Sequence, residues 1–136
     1  MRKEQPSLFT SFSKNLSEKL TSRKRIGNEA EQQACKHLQS QGLILLDKNF
    51  STKAGEVDLI MRDGETLVFI EVRYRKNTDF GGAAASITPK KQQRIIKASL
   101  AYQQKHYPQS SMRFDVVAIE GDNRRLNWIQ NAFGGF

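Results

Sequence analysis

The spacing of apolar residues divides the chain into a polar, basic beginning and a patterned remainder. Over residues 26–41, Ile26, Ala30, Ala34 and Leu38 recur every four positions, the repeat of one helix face. Asn28 is placed to cap this helix. Glu29 and Glu31 fall in its expected first turn, where the helix dipole favours acids, and Gly42 is a natural stop. The period then changes to two. Residues 43–50 begin apolar and turn polar. Residues 56–62 alternate, with Val57, Leu59 and Met61 on one face and Glu56, Asp58 and Ile60 on the other. Asp63-Gly64 marks a hairpin. Residues 66–75 are so apolar that they predict a central strand covered on both faces.

Residues 76–87 read as a loop containing Gly81-Gly82. Thr88-Pro89 reads as a cap followed by proline at the first helical position. That helix continues to about Tyr107, with Ile95, Ala98 and Tyr102 on one stripe. After a break at 108–111, residues 113–120 form a strand, Gly121-Asp122-Asn123 a turn, and residues 126–130 a last strand. The order α-β-β-β-α-β-β predicts one α/β domain, a mixed β-sheet flanked by helices, over residues 26–136. Residues 1–25 stand outside it. Leu8, Phe9, Phe12, Leu16 and Leu20 recur at nearly helical spacing, which fits a weakly helical or a flexible basic arm. The arm lacks the apolar run of a secretory signal, and Glu4 and Glu18 count against an organellar transit peptide.

Composition narrows the partners. At 136 residues the chain suits one hydrophobic core. No run approaches the length of a membrane span, so no membrane partner is expected. The single cysteine, Cys35, cannot form an internal disulfide and reads as a small buried filler in a reducing, cytoplasmic setting. It also excludes a cysteine-based zinc site. With only His37 and His106 available, a metal would be held mainly by oxygen. The net charge of +8 is uneven: residues 1–25 carry +5, residues 73–97 carry +6, and the rest −3. That distribution favours a polyanion, nucleic acid ahead of anionic lipid.

Glu71 stands out because it interrupts Val68-Phe69-Ile70-Glu71-Val72, where a sheet core is expected. A buried carboxylate needs a partner or a cation. An internal pair with Arg73 or a lysine is one reading; a bound metal is the other. Counting back from the hairpin sets Asp58 roughly opposite Glu71, and two carboxylates at cross-strand distance repel unless a cation bridges them. Asp58 is alternatively a surface acid on an edge strand. Oxygen ligands with room for water suit Mg²⁺ or Mn²⁺. Glu31 is a third candidate carboxylate. Lys91 lies one turn before Ile95, where its stem can run along the sheet and deliver the ammonium to the same cleft, or else it is a solvated neighbour of Lys90. Carboxylates, a cation and a basic rim together suit metal-dependent phosphodiester hydrolysis.

Four segments carry a resemblance. Gly55-Glu56-Val57-Asp58-Leu59-Ile60, Phe69-Ile70-Glu71-Val72-Arg73-Tyr74-Arg75, Gly81-Gly82-Ala83-Ala84-Ala85 with Lys91, and Arg113-Phe114-Asp115-Val116-Val117 resemble the YraN-like family. Its members are small bacterial proteins predicted to be endonucleases, distantly similar to archaeal Holliday-junction resolvases in the PD-(D/E)XK superfamily. The resemblance runs from about Ile26 to Phe133. It implies a restriction-endonuclease-like fold, Mg²⁺ as cofactor, and DNA ahead of RNA as partner. By it, Asp58 matches the first acidic motif, Glu71 and Arg73 the second, Glu31 a helical acid, and Lys91 a family lysine. Arg73 replaces the expected lysine. An arginine cannot take a proton from water, though it can bind a phosphate in a fork.

The expectation is therefore a structure-selective DNA endonuclease. Asp58, Glu71 and Glu31 would hold the metal, and Asp58, Glu71, Arg73 and Lys91 would be catalytic. Arg75, Lys76, Gly81, Gly82, Lys90, Arg94 and Lys97 would track the nucleic acid. The alternative is an inactive nucleic-acid-binding protein on the same fold. A homodimer and a protein partner for the amino-terminal arm stay open.

Overall fold

The computed structural model describes residues 8–77 and 82–134, with side chains from residue 21 onward. In chain order the elements are α1 (Leu8–Ser40), β1 (Ile44–Ser51), β2 (Glu56–Asp63), β3 (Thr66–Arg75), a short 3-10 turn (Ala84–Ser86), α2 (Pro89–His106), β4 (Met112–Glu120) and β5 (Arg125–Phe133). The strands form one sheet in the order β1-β2-β3-β4-β5. β3 and β4 are parallel, joined by α2, and the other neighbours are antiparallel. No helix among the described residues is long and apolar enough to cross a membrane.

Each helix closes one face of the sheet. Ala30, Ala34 and Leu38 of α1 pack with Leu59, Met61, Val68, Ile70 and Val117. Ile95, Ala98 and Tyr102 of α2 pack with Val57, Ile60, Leu67, Phe69 and Phe114. β3 is central and buried on both faces, as its unbroken apolar run predicts. Cys35 is buried in the α1 layer as a filler.

Two expectations need correction. The helix expected to start at Ile26 runs unbroken from Leu8, so Asn28 lies inside it and caps nothing. Glu29 and Glu31 therefore gain nothing from a helix end. The alternation expected in β2 also slips. Leu59 and Met61 belong to the α1 layer, whereas Val57 packs with Ile60 on the α2 side. The cause lies at Asp58. Pairing of β2 with β3 extends only to Leu59↔Ile70, and beyond it the Val72 N–H donates to the Asp58 carboxylate at 2.8 Å. A side chain has replaced a ladder bond, and the strand loses its regular pleat there.

Candidate active site

The site forms where β2 leaves β3. One step beyond Leu59↔Ile70 in that register sets Asp58 against Glu71, as counting from the hairpin predicts. Glu71 is only 4% exposed although it carries a carboxylate. Its Oε1 lies 3.0 Å from the Lys91 ammonium and 3.7 Å from Arg73 Nε. The internal ion pair read as one alternative from the sequence thus exists, with Lys91 as the closer cation. Arg73 Nε is buried and makes no hydrogen bond among the described residues.

Local chemistry aims Lys91 at this point. Thr88 caps α2, its hydroxyl accepting the Lys91 N–H at 3.2 Å, and Pro89 opens the first turn. The helix then rests directly on the β1–β2 connection: a Cβ on Gly55 would lie 2.5 Å from the Arg94 carbonyl oxygen. Gly55 thereby sets the separation between α2 and the carboxylates. No role is predicted for Gly55 from the sequence. Its signal was the glycine immediately before the first acidic strand.

The resulting cleft, about 400 Å³, has walls of opposite charge. Glu56, Asp58 and Glu71 come from the sheet, and Lys90, Lys91 and Arg94 from α2. Glu56 was not singled out from the sequence; it is exposed at the lip. The Asp58 pKa is pushed up to about 7, first by burial and then by repulsion from Glu71. A hydrogen bond shared with Glu71 adds to the rise, while the Val72 N–H and Lys91 oppose it. Near neutrality the Asp58 carboxyl therefore lies close to the midpoint of its titration.

Glu31 does not line this cleft. It is half-buried on α1, where Asn49 donates to it, and burial followed by repulsion from Asp58 raises its pKa. It senses the carboxylate pair without joining it. Among the described residues no group of three or more His, Cys, Asp or Glu side chains is arranged to hold a metal ion. The facing donors inside the cleft are the two carboxyls of Asp58 and Glu71, with Glu56 exposed at its lip. That fits Mg²⁺ or Mn²⁺, which are commonly held by one or two carboxylates with water and phosphate completing the shell.

The expected nucleic-acid contacts separate into three groups. Lys90 and Arg94 line the cleft, and Lys97, exposed one turn further along α2, extends the same stripe. Arg75 and Lys76 are exposed at the end of β3, where Lys76 lies 4.0 Å from Asp122. Gly82, at φ 78°, stands against the Glu120 carboxylate and not at the cleft. Gly81 lies outside the described residues.

Comparison with known proteins gives a consistent picture. The profile of the family described as "Uncharacterised protein family UPF0102" matches residues 30–119. The chain is 53% identical over 109 residues to a UPF0102 protein of Pseudomonas fluorescens, covering 79% of this chain and 91% of that one. A UPF0102 protein of Coxiella burnetii is 54% identical over 110 residues, with the same coverage. One of Nitrosomonas eutropha is 52% identical over 114 residues, covering 84% of this chain and 97% of its own.

Proposed function

The chain belongs to the UPF0102, or YraN-like, family, and we propose that it is a metal-dependent endonuclease that hydrolyses phosphodiester bonds in branched DNA. The supporting observation is the Asp58–Glu71 pair, facing Lys91 at the mouth of a cleft with a basic wall. Asp58 and Glu71 would hold Mg²⁺ or Mn²⁺. Bound there, the ion supplies Lewis acidity toward a phosphoryl oxygen and makes water a better nucleophile at neutral pH. Lys91 is the partly exposed cation next to the carboxylates, suited to offset charge developing on the phosphate. Arg73 contributes a fixed positive fork for a phosphate oxygen and no proton transfer. Lys90, Arg94 and Lys97 attract the backbone through charge, which selects shape over base sequence. DNA is favoured over RNA by the likeness to resolvases.

The test is nicking of a four-way DNA junction in Mg²⁺, with EDTA as control. Asp58→Ala and Glu71→Ala are expected to lower the rate by about 10²-fold or more while junction binding persists. Wild-type rates in either purified variant would overturn the assignment. One observation favours the second reading, an inactive binding protein: Lys91 already supplies a counter-charge to Glu71 at 3.0 Å. That reading predicts salt-dependent binding with no cleavage in Mg²⁺ or Mn²⁺.

A further inference from the structure

The cleft is not the only basic feature at its end of the molecule. α1 is anchored there by three contacts: the Arg124 guanidinium donates to Glu29 at 2.6 Å, Gln33 Nε2 donates to the Arg124 carbonyl oxygen at 2.9 Å, and Asn49 hydrogen bonds Glu31. Arg124 belongs to the β4–β5 turn, just past Glu120, which pairs with Arg75 at the end of β3. Glu71 and Arg73 lead into that same strand end. From Glu29, α1 descends along the sheet through Ala30, Ala34 and Leu38 toward its carboxyl end. In the other direction the helix continues past the sheet. Leu8 stands about 30 Å beyond Glu29 at the α-helical rise.

The first described side chains of this projection are strongly basic. Arg23, Lys24 and Arg25 are consecutive and all exposed. The sequence adds Lys14 and Lys19 to the same helix, with Glu18 the only acid between residues 8 and 28. Three successive helical residues cover most of the circumference, so cations face outward in several directions. The segment lies outside the span matched by the family profile, which starts at residue 30. It is therefore a feature to be explained from this chain itself.

We propose that the projecting part of α1 is a second nucleic-acid contact, gripping the phosphate backbone of DNA that extends beyond the cleft. The α2 stripe of Lys90, Arg94 and Lys97 borders the cleft on one side of the sheet. The α1 projection rises from the other side at the same end. The two helices thus make a pair of positive rails with the carboxylate pair between them. Such an arrangement suits a ligand with backbone on both flanks of the reacting position, as in a duplex or a branched DNA. A lone phosphate or nucleotide is too short to engage both. A basic helix also attracts anionic lipid. Duplex DNA is favoured because the described cations Arg23, Lys24 and Arg25 stand next to a second basic wall; the apolar positions Leu8, Phe9, Phe12, Leu16 and Leu20 lie further out on the helix and make anionic vesicles the competing ligand to test.

This inference rests on the DNA ligand of the preceding section and not on cleavage. Its test is binding of the full chain to a fluorescent DNA duplex and a four-way junction in EDTA, across a salt series. The triple variant R23A/K24A/R25A is expected to lose about tenfold or more in affinity. The slope of log K against log salt should fall by about two to three units, close to one per phosphate contact. R23K/R25K, which keeps the charge, should bind as wild type. So should Lys36→Ala, which removes an exposed cation further down the same helix. The replaced side chains are exposed, and an unchanged thermal melt verifies folding. Unchanged affinity and slope in the triple variant would overturn the proposal. So would loss of binding to phosphatidylglycerol vesicles with DNA affinity intact. If the triple variant binds as wild type while Asp58→Ala abolishes nicking, only this inference fails. If DNA binding weakens as expected but no form of the protein nicks DNA, only the nuclease reading fails.

Discussion

Asp115 and Asp58 both sit where a strand ladder is irregular, and each takes up a backbone N–H there. Asn131, at φ 52° beside the register shift between β4 and β5, donates to Asp115 at 2.9 Å. Val72, where β2 leaves β3, donates to Asp58 at 2.8 Å. From that point they diverge. Asp115, 0% exposed, also receives Trp128 Nε1 at 2.9 Å and Arg113 Nε at 3.1 and 3.2 Å to its two oxygens. Arg113 is itself tied to Asp63 at 2.9 Å. Every lone pair that burial strips of water has a donor, and the charge has a counter-charge. Asp58 instead faces another carboxyl, and its pKa rises. One acid is finished as structure. The other keeps capacity for a cation or a proton, at the mouth of a cleft.

The largest expected effect tests the finished acid. Asp115→Ala leaves Arg113 Nε, the Trp128 indole and the Asn131 amide without their acceptor, with Asp63 still holding Arg113 Nη1. Breaking one side of a buried ion pair costs about 3–5 kcal/mol. Urea unfolding should register a loss of that size, whereas Glu71→Gln should cost far less because the cleft admits water. If the two substitutions cost the same, the division between a structural and a functional acid is wrong.

Gly55 sharpens the comparison from the other side, through the helix that carries Lys91. A methyl group at this position meets Arg94 backbone, 2.5 Å from its oxygen and 2.8 Å from its carbon, and backbone cannot swing aside. Gly55→Ala is expected to cost about 1–3 kcal/mol, as overpacking does. It should also slow any nicking, because α2 and Lys91 must move away from Glu71. Urea unfolding and junction nicking measured on the same preparation separate the two effects. A variant that is destabilised but fully active would show that the Lys91–Glu71 distance does not matter.

The sequence disclosed what local pattern controls. The run around Phe69 identified the central strand, Thr88-Pro89 the start of α2, and the count from Asp63-Gly64 the opposition of Asp58 and Glu71. It was silent where the decisive partner lies far along the chain. Asp115 was visible as part of a motif, but the indole and amide that satisfy it come from β5, 13 and 16 residues away. The slip of alternation at Asp58 depends on an amide of the next strand. Glu31 stood as a third ligand through its match to a helical acid of the resembled family; with α1 beginning at Leu8 it sits mid-helix, bonded to Asn49. The apolar stripe of residues 26–38 marked where α1 touches the sheet; the near-helical spacing of Leu8 to Leu20 pointed to a weakly helical arm, but no local pattern joined the two into one helix.

The smallest expected effect concerns protons at the carboxylate pair. The Asp58 pKa is raised from its ordinary 3.8 to about 7, so the folded protein without metal holds a proton there that the unfolded chain releases. A raised acid pKa stabilises the fold fully below about 4 and loses that contribution as pH climbs through about 7. The wild-type melting temperature should therefore decline between these limits for reasons specific to Asp58. Asp58→Asn keeps an oxygen for the Val72 N–H and removes the titration. It should melt close to wild type at pH 4 and clearly higher at pH 8. The same experiment on Asp115→Asn should show a deficit at both pH values, since both oxygens of that side chain serve as hydrogen-bond acceptors. Added Mg²⁺ should narrow the pH 8 gap for Asp58 by stabilising only the wild type, whose ionised pair can accept the ion. A gap that is equal at pH 4 and pH 8 would mean that Asp58 is ionised throughout, its repulsion from Glu71 already absorbed by Lys91.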